Sequence, residues 1–496
     1  MNSQNNWSQQ VVKQSEIDKY LVDGKDFIDE KQIVGLLSGD RKQDKKYIED
    51  ILDKSLSVER LTPEETAALI NVNDPETLQK MAETGLRLKR KVYDNRIVFF
   101  APLYCSNLCV NGCRYCGFAS DNSVEKRRTL TFEEIEKETR HVLAEGHKRM
   151  IVVFGEHPVS DVDYICKTLE TIYGVKEKTP RGTITSIRRI NVNAAPMSID
   201  DLRKLHEVGI GTFQVFQETY NKDRYRQMHL WGPKANYQWR LYALHRAMEA
   251  GVDDVGMGAL LGLYDWKFDV MGLVYHAIDL ERQFGIGPHT VSVPRLTPAS
   301  GSNVPTDSEY IVNDEQFKKL ITVIRLAIPY TGLIVTAREK PKIHLEAIQL
   351  GCTQTDASSK IGIGAYADSS SQEIDRQQFI LGDTRSLDEL TRELGKIGII
   401  TSFCTAGYRC GRTGDKIMNL LHSGTEGKFC KLNAVLTYKE YLDDYASKET
   451  REIGEKVISE EMKQISEIEF YDKGDLRNRF NRYYDDICGG NRDVYI

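Results

Sequence analysis

Tyr104 to Phe118 reads YCSNLCVNGCRYCGF and crowds Cys105, Cys109, Cys113 and Cys116 onto one short loop. Soft thiolates this close together suit an iron–sulfur cluster or zinc. Cys109, Cys113 and Cys116 have the spacing C-x3-C-x2-C. Three thiolates ligate three irons of a 4Fe–4S cube, and the fourth iron stays open to a small molecule. Zinc would recruit Cys105 as a fourth ligand to close a tetrahedron. A zinc knuckle usually occupies a small module of its own, whereas this loop follows an apolar strand, so the cluster is the favoured reading. Cys404, Cys410 and Cys430 form a second group, while Cys166, Cys352 and Cys488 stand alone. In a reducing compartment, grouped cysteines argue for metal or redox chemistry over disulfides.

The elements that must position these thiols follow from pattern. Residues 1–90 are charged and helical in rhythm, as in FIDEKQIVGLLSG, KKYIEDILDKSL and DPETLQKMAETGLRLKRKVY. Thr62, Pro63 and Glu65 predict a capped helix start. From residue 96 the rhythm becomes strand, loop, helix. RIVFFAP, MIVVFGE, INVNAAP, GTFQVFQETY, VDDVGMGALLGL, HTVSVPRLTPA, GLIVTARE and SKIGIGAYA read as strands. Helical segments lie between most of them, one opened by a capping box at Thr131 and Glu134. About eight strands alternating with helices predict an α/β fold, a (β/α)8 TIM-type barrel. The division is a helical extension over 1–90, a barrel over 91–399 and a C-terminal extension over 400–496. The extension is expected to pack near the barrel mouth and to include a helix capped by Thr437 and Glu440. Loops leaving the C-terminal strand ends face the active site. The cysteine loop leaves the first strand, and FGEHP leaves the second.

The chain has 496 residues, a net charge of -6 and 28% charged residues, which excludes the basic surface that nucleic acid or anionic lipid would require. No run of about 18 apolar residues predicts a membrane span. The polar start MNSQNNWSQQVVKQSEIDKY lacks the apolar region of a secretory signal. A cytoplasmic location is the expectation.

C-x3-C-x2-C with Tyr115 before its last cysteine, on the loop after strand one of a barrel, resembles the radical S-adenosylmethionine (SAM) superfamily. The resemblance implies that Cys109, Cys113 and Cys116 hold the cluster, that Cys105 does not, and that SAM chelates the open iron. Electron transfer then yields methionine and a 5′-deoxyadenosyl radical. Glu156 in FGEHP resembles the family's glycine–glutamate motif, and an anion there would receive the SAM ammonium. At finer scale RIVFFAPLYCSN, INVNAAPMS, GIGTFQVFQETY, GPHTVSVPRLTPA and CTAGYRCGRTGD followed by C-x-x-N-A resemble the radical SAM tyrosine lyases. The set is closest to the branch that matures the FeFe-hydrogenase. It covers roughly residues 25–450. A thiazole-pathway branch shares the barrel motifs but less of the C-terminal extension.

The implied reaction cleaves the Cα–Cβ bond of L-tyrosine to p-cresol and dehydroglycine (2-iminoacetate). In the maturation branch a second cluster then yields CO and cyanide on iron. The resemblance also implies an electron donor such as ferredoxin or flavodoxin, and other hydrogenase maturation proteins as partners. Arg338 in VTARE resembles the arginine that pairs with the tyrosine carboxylate, with Thr336 as its neighbour; a surface arginine is the other reading. Arg295, Asn191, Asn193, Gln217 and Glu218 sit at strand ends and serve either SAM and substrate contact or plain hydrogen bonding at the mouth. His276 aligns with a histidine that holds an extra iron beside the second cluster, against the alternative of a packed helix histidine. His289 reads as structural.

One departure stands out. The maturation branch binds its second cluster with C-x2-C and a later cysteine. Cys404 and Cys430 occupy the outer positions, but Gly407 stands at the middle one. Cys410 replaces the missing thiolate, or an outside ligand does, or the cluster is weakened and CO and cyanide output falls. A non-catalytic metal-binding scaffold on a barrel is the reading from outside enzymology.

Overall fold

The structure, a computed structural model, describes residues 2–39, 44–302, 304, 308–368 and 377–496. Eight parallel strands close the barrel: β1 Arg96–Ser106, β2 Arg149–Phe154, β3 Arg189–Asn193, β4 Phe213–Gln214, β5 Val255–Gly258, β6 Thr290–Ser292, β7 Gly332–Val335 and β8 Gln354–Asp356. Each pairs with the next, and β8 returns to β1 through Val98↔Gln354 to Phe100↔Asp356. A ninth strand, β9 Ile400–Ser402, joins lower on β1 with Arg96 opposite Ile400. Strands covered on both faces carry continuous apolar runs, and all of β2 is buried.

Seven of the eight predicted strands form. SKIGIGAYA does not. The eighth strand lies just before it, in CTQTDA, and Ser359 to Ala367 runs as loop, with Gly364 at φ +82. The β-branched threonines extend the first stretch, whereas the glycines bend the second away.

Both expected capping boxes are present. The Thr62 amide donates to Glu65 Oε2 at 2.7 Å, and the Thr131 amide to Glu134 Oε2 at 2.8 Å. Thr437 and Glu440 cap nothing, because one helix runs unbroken over Thr425–Asp444. Its buried LNAVL stretch carries the helix through, and the Thr437 hydroxyl donates to the Asn433 carbonyl at 2.8 Å.

The C-terminal extension docks at the foot of the barrel, the N-terminal ends of the strands, and not at the mouth. Arg96, Arg149 and Arg189 open three successive strands there. Arg149 donates to the Cys404 carbonyl at 3.4 Å, and Arg189 lies 4.6 Å over the Tyr408 ring. The Tyr408 hydroxyl meets Thr212 at 3.3 Å. β9 sets this geometry, because its register delivers Cys404 beside the start of β1. No helix among the described residues is long and apolar enough to cross a membrane.

Candidate active site at the barrel mouth

The cysteine loop is fixed by close backbone passes that only glycine permits. A Cβ on Gly112 would lie 2.4 Å from the Trp231 ring, and one on Gly155 would lie 2.2 Å from the Leu108 carbonyl oxygen. The Leu230 amide donates to the Gly112 carbonyl at 3.0 Å, the Gly112 amide to the Trp231 carbonyl at 3.2 Å, and the Val110 amide to the Glu156 carbonyl at 2.8 Å. This gives the glycine of FGEHP a physical role. It lets the loop after β2 pass against the cysteine loop and so brings Glu156 to the thiols.

Asn111 ties the pieces together. Its Nδ2 donates to Glu156 Oε2 at 2.6 Å and to Cys109 Sγ at 3.5 Å, and its Oδ1 accepts from the Lys234 amide at 3.0 Å. Cys109, Cys113 and Cys116 line one cavity. Burial pushes the Cys113 and Cys116 thiols up, and their mutual charges push the same way. Three thiols on one cavity form a donor set suited to a cationic iron centre, which would offset the burial that opposes ionisation of Cys113 and Cys116. Cys105 lies apart from them. Its thiol is fully buried toward the helix layer, where Glu138 and Tyr164 are its neighbours.

Glu156 is 7% exposed, and burial raises its carboxyl. Its Oε1 faces the cavity without a hydrogen-bond partner. An ammonium group would satisfy that oxygen. Tyr115 lines the cavity beside it, its hydroxyl 2.9 Å from His229 Nε2. Glu218 has φ +71 and is held by Lys234 at 2.7 Å and Arg240 at 3.3 Å. Burial opposes its charge, but the two cations prevail and hold its carboxyl at about 2.

Arg338 and Thr336 form part of the cavity wall. The guanidinium stacks 3.3 Å over Phe379 and donates to Thr297 Oγ1 at 3.3 Å. Burial lowers its pKa. Among the described residues it has no carboxylate ion-pair partner, and Thr336 Oγ1 has no hydrogen-bond partner. A buried guanidinium with donors to spare suits a carboxylate ligand.

Arg295 differs. It grips Glu339 with Nε at 3.0 and 3.1 Å and Asp314 at 2.8 Å, over Phe317 in the helix layer. Those two carboxylates take up its donors, and it is not among the residues lining the cavity. Asn193 lines the cavity. Asn191 lies deeper and accepts from the Thr212 amide at 3.0 Å, and Gln217 reaches the Tyr237 carbonyl at 3.5 Å.

Residues 103–270 match the Radical SAM superfamily and residues 292–400 the Biotin and Thiamin Synthesis associated domain. A 2-iminoacetate synthase of Salmonella typhimurium is 31% identical over 350 residues, 70% of this chain and 88% of that protein. A solved HydG, described as a maturase of the FeFe-hydrogenase, is 44% identical with a TM-score of 0.89, covering 95% of this chain and all of that one. HydG from Carboxydothermus hydrogenoformans is 34% identical with a TM-score of 0.76, over 95% and 99% of the two chains. The chain belongs to the radical SAM superfamily. The cofactors of this family, a 4Fe–4S cluster and SAM, are those of this chain.

The foot of this radical SAM barrel brings Cys404 and Cys430 together. Burial pushes both thiols up, Cys430 to about 12, and the Arg96 guanidinium beside them opposes that rise. Cys410 follows the short helix Ala406–Arg409, and its amide donates to the Ala406 carbonyl at 2.8 Å. His276 does not join Cys404 and Cys430. It lies in the helix Trp266–Phe284 among Phe27, Tyr220 and His245, its Nδ1 2.9 Å from the Tyr220 hydroxyl. The helix period turns it toward the N-terminal extension, where it packs among rings. His289 is the imidazole at the foot, 3.8 Å from Asp254 and facing Glu426.

Sequence reasoning missed Asn111, Lys234, Arg240, Phe379 and Gln378, whose Nε2 donates to Cys116 Sγ at 3.7 Å. Asn111 was open to notice, lying between two motif cysteines. Lys234 arrives on HLWGPKAN, where only the Gly-Pro turn marks a special loop.

Proposed function

We propose that this chain is a radical SAM lyase that cleaves the Cα–Cβ bond of L-tyrosine to p-cresol and 2-iminoacetate, in the manner of HydG. The observation that carries this reading is that one cavity is lined by the three thiols, by Glu156, whose Oε1 lacks a hydrogen-bond partner, and by Arg338, which has no carboxylate ion-pair partner among the described residues. In this reading Cys109, Cys113 and Cys116 hold the cluster, Glu156 receives the SAM ammonium, and Tyr115 and Asn193 flank the nucleoside. When bound, the cofactors supply an electron and then a carbon-centred radical that removes hydrogen from substrate. Arg338 holds the tyrosine carboxylate and so aims the amino group at that radical. Glu218, locked as an anion by Lys234 and Arg240, keeps the wall polar without giving up a proton. The apolar walls Phe154, Phe216 and Leu260 exclude water from the radical.

The extension favours the maturation branch over thiazole synthesis. HydG is matched along 95% of this chain, whereas the 2-iminoacetate synthase is matched along 70%. A ferredoxin- or flavodoxin-type donor, other hydrogenase maturation proteins and a cytoplasmic setting belong to this proposal. The test is anaerobic incubation of reconstituted protein with SAM, reductant and tyrosine. The expected products are 5′-deoxyadenosine and p-cresol. Abundant 5′-deoxyadenosine without p-cresol would show that tyrosine is the wrong substrate.

A further inference from the structure

Against the family pattern the foot is one thiolate short at Gly407, and a buried carboxylate, Glu426, lies beside Cys430. Glu426 and Cys430 lie four residues apart on the helix Thr425–Asp444, so they share a face. The Cys430 thiol donates to Glu426 Oε1 at 3.7 Å. Cys404 also feels the charge of Glu426. Arg412 Nε lies 3.2 Å from Glu426 Oε2, yet neither atom makes an aligned hydrogen bond. A glutamate is rarely fully buried unless it is paired. Glu426 is 5% exposed, and a buried carboxylate oxygen left unaligned is costly unless it has a further partner.

We propose that Glu426 is the third protein ligand of a second 4Fe–4S cluster, completing the set Cys404, Cys430 and Glu426. The inference rests on reading the foot as a cluster site. Among the described residues no three such side chains converge on a single ion. A cube does not need them to, since each ligand takes its own iron at a separate corner. The two cysteines bind as thiolates, their protons passing to solvent, and Glu426 binds as the carboxylate. One iron then carries a harder oxygen donor in place of sulfur. No side chain at 407 competes, and the Cβ position of Gly407 is open, with the Arg412 carbonyl oxygen nearest at 3.6 Å.

The test uses the full chain with Cys109, Cys113 and Cys116 all changed to Ala, so that cluster iron and sulfide after anaerobic reconstitution report on the foot. With Glu426 intact, one cube per chain is expected. Glu426→Ala and Glu426→Gln should lower iron at the foot by at least about tenfold, the lower end of what lost outer-shell contacts cost metal sites. Glu426→Cys should keep the iron and move the Mössbauer spectrum to that of an all-thiolate cube, which excludes misfolding as the cause of loss. Cys410→Ala should change nothing. Full iron in both Glu426→Ala and Glu426→Gln would overturn the proposal, and loss in Cys410→Ala would name Cys410 instead. A parent without iron would overturn the cluster at the foot altogether. Release of p-cresol by Glu426→Gln with the mouth cysteines intact tests the lyase reading separately.

Discussion

At the mouth, three thiols ride on one loop, and the backbone around them has no slack. Gly112 and Gly155 admit the Trp231 ring and the Leu108 carbonyl where any side chain would collide. At the foot, two thiols arrive from separate segments, held by charge. Arg96 stands between them, Arg412 pairs with Glu426, and Arg188 pairs with the buried Glu440 of the same helix. A ligand loop built on steric fit cannot lose a member without losing its shape. A site assembled from ion pairs can exchange one ligand for another, which is what the proposed Glu426 ligand requires.

The largest effect expected from this contrast concerns the mouth thiols. Changing Cys109, Cys113 or Cys116 to Ala should abolish 5′-deoxyadenosine formation and remove the mouth iron. Cys105→Ala should leave both intact, because its thiol faces the helix layer. Equal iron loss in Cys105→Ala would return the four-thiol reading.

Arg338→Ala should come next. An ion pair lost from a buried site costs about 2–5 kcal/mol. Calorimetric tyrosine binding in the presence of SAM should weaken accordingly, while cluster content stays. Arg295→Ala should lower thermal stability, since it strands Glu339, and should barely alter tyrosine affinity. The reverse ranking would move the substrate clamp to Arg295.

A pair of glycine substitutions sharpens the comparison itself. Gly155→Ala forces a Cβ toward the Leu108 carbonyl and should cost about 1–3 kcal/mol as overpacking. It should also reduce mouth iron, because the two loops separate. Gly407→Ala meets open space within a short helix and should be neutral or stabilise by about 0.4–1 kcal/mol. Melting temperature and iron content check both.

The fold was legible because its signals are local. Capping boxes at Thr62 and Thr131, and apolar runs such as MIVVF, carry their own physics. The grouping of the mouth thiols was legible for the same reason, since three spaced cysteines need no distant partner to be recognised. What stayed hidden depends on where elements meet. Nothing in SVPRLTP announces that Glu339 and Asp314 will occupy Arg295. Nothing in VMGLVYHAIDL says that the helix turns His276 toward Phe27 instead of the foot. The placement of the extension was misjudged because β9, only three residues long, decides it by register alone.

The smallest effect concerns pH, and it tests whether the mouth also uses charge. Burial would raise the Glu218 carboxyl, yet Lys234 and Arg240 hold it at about 2. A carboxyl depressed in the folded state binds its proton less readily there than in the unfolded chain. Its contribution to stability is therefore fully present above the ordinary carboxylate pKa and fades as pH falls toward 2. Glu218→Gln removes the proton-binding group and should flatten that part of the profile. Denaturant midpoints measured from pH 7 downward should fall less steeply in the variant below about pH 4, the usual glutamate range. Near neutral pH the slopes of the two proteins should coincide, although the variant is offset by the unpaired cations. Identical slopes throughout would mean that Lys234 and Arg240 do not hold the charge of Glu218, and that the mouth relies on steric fit alone.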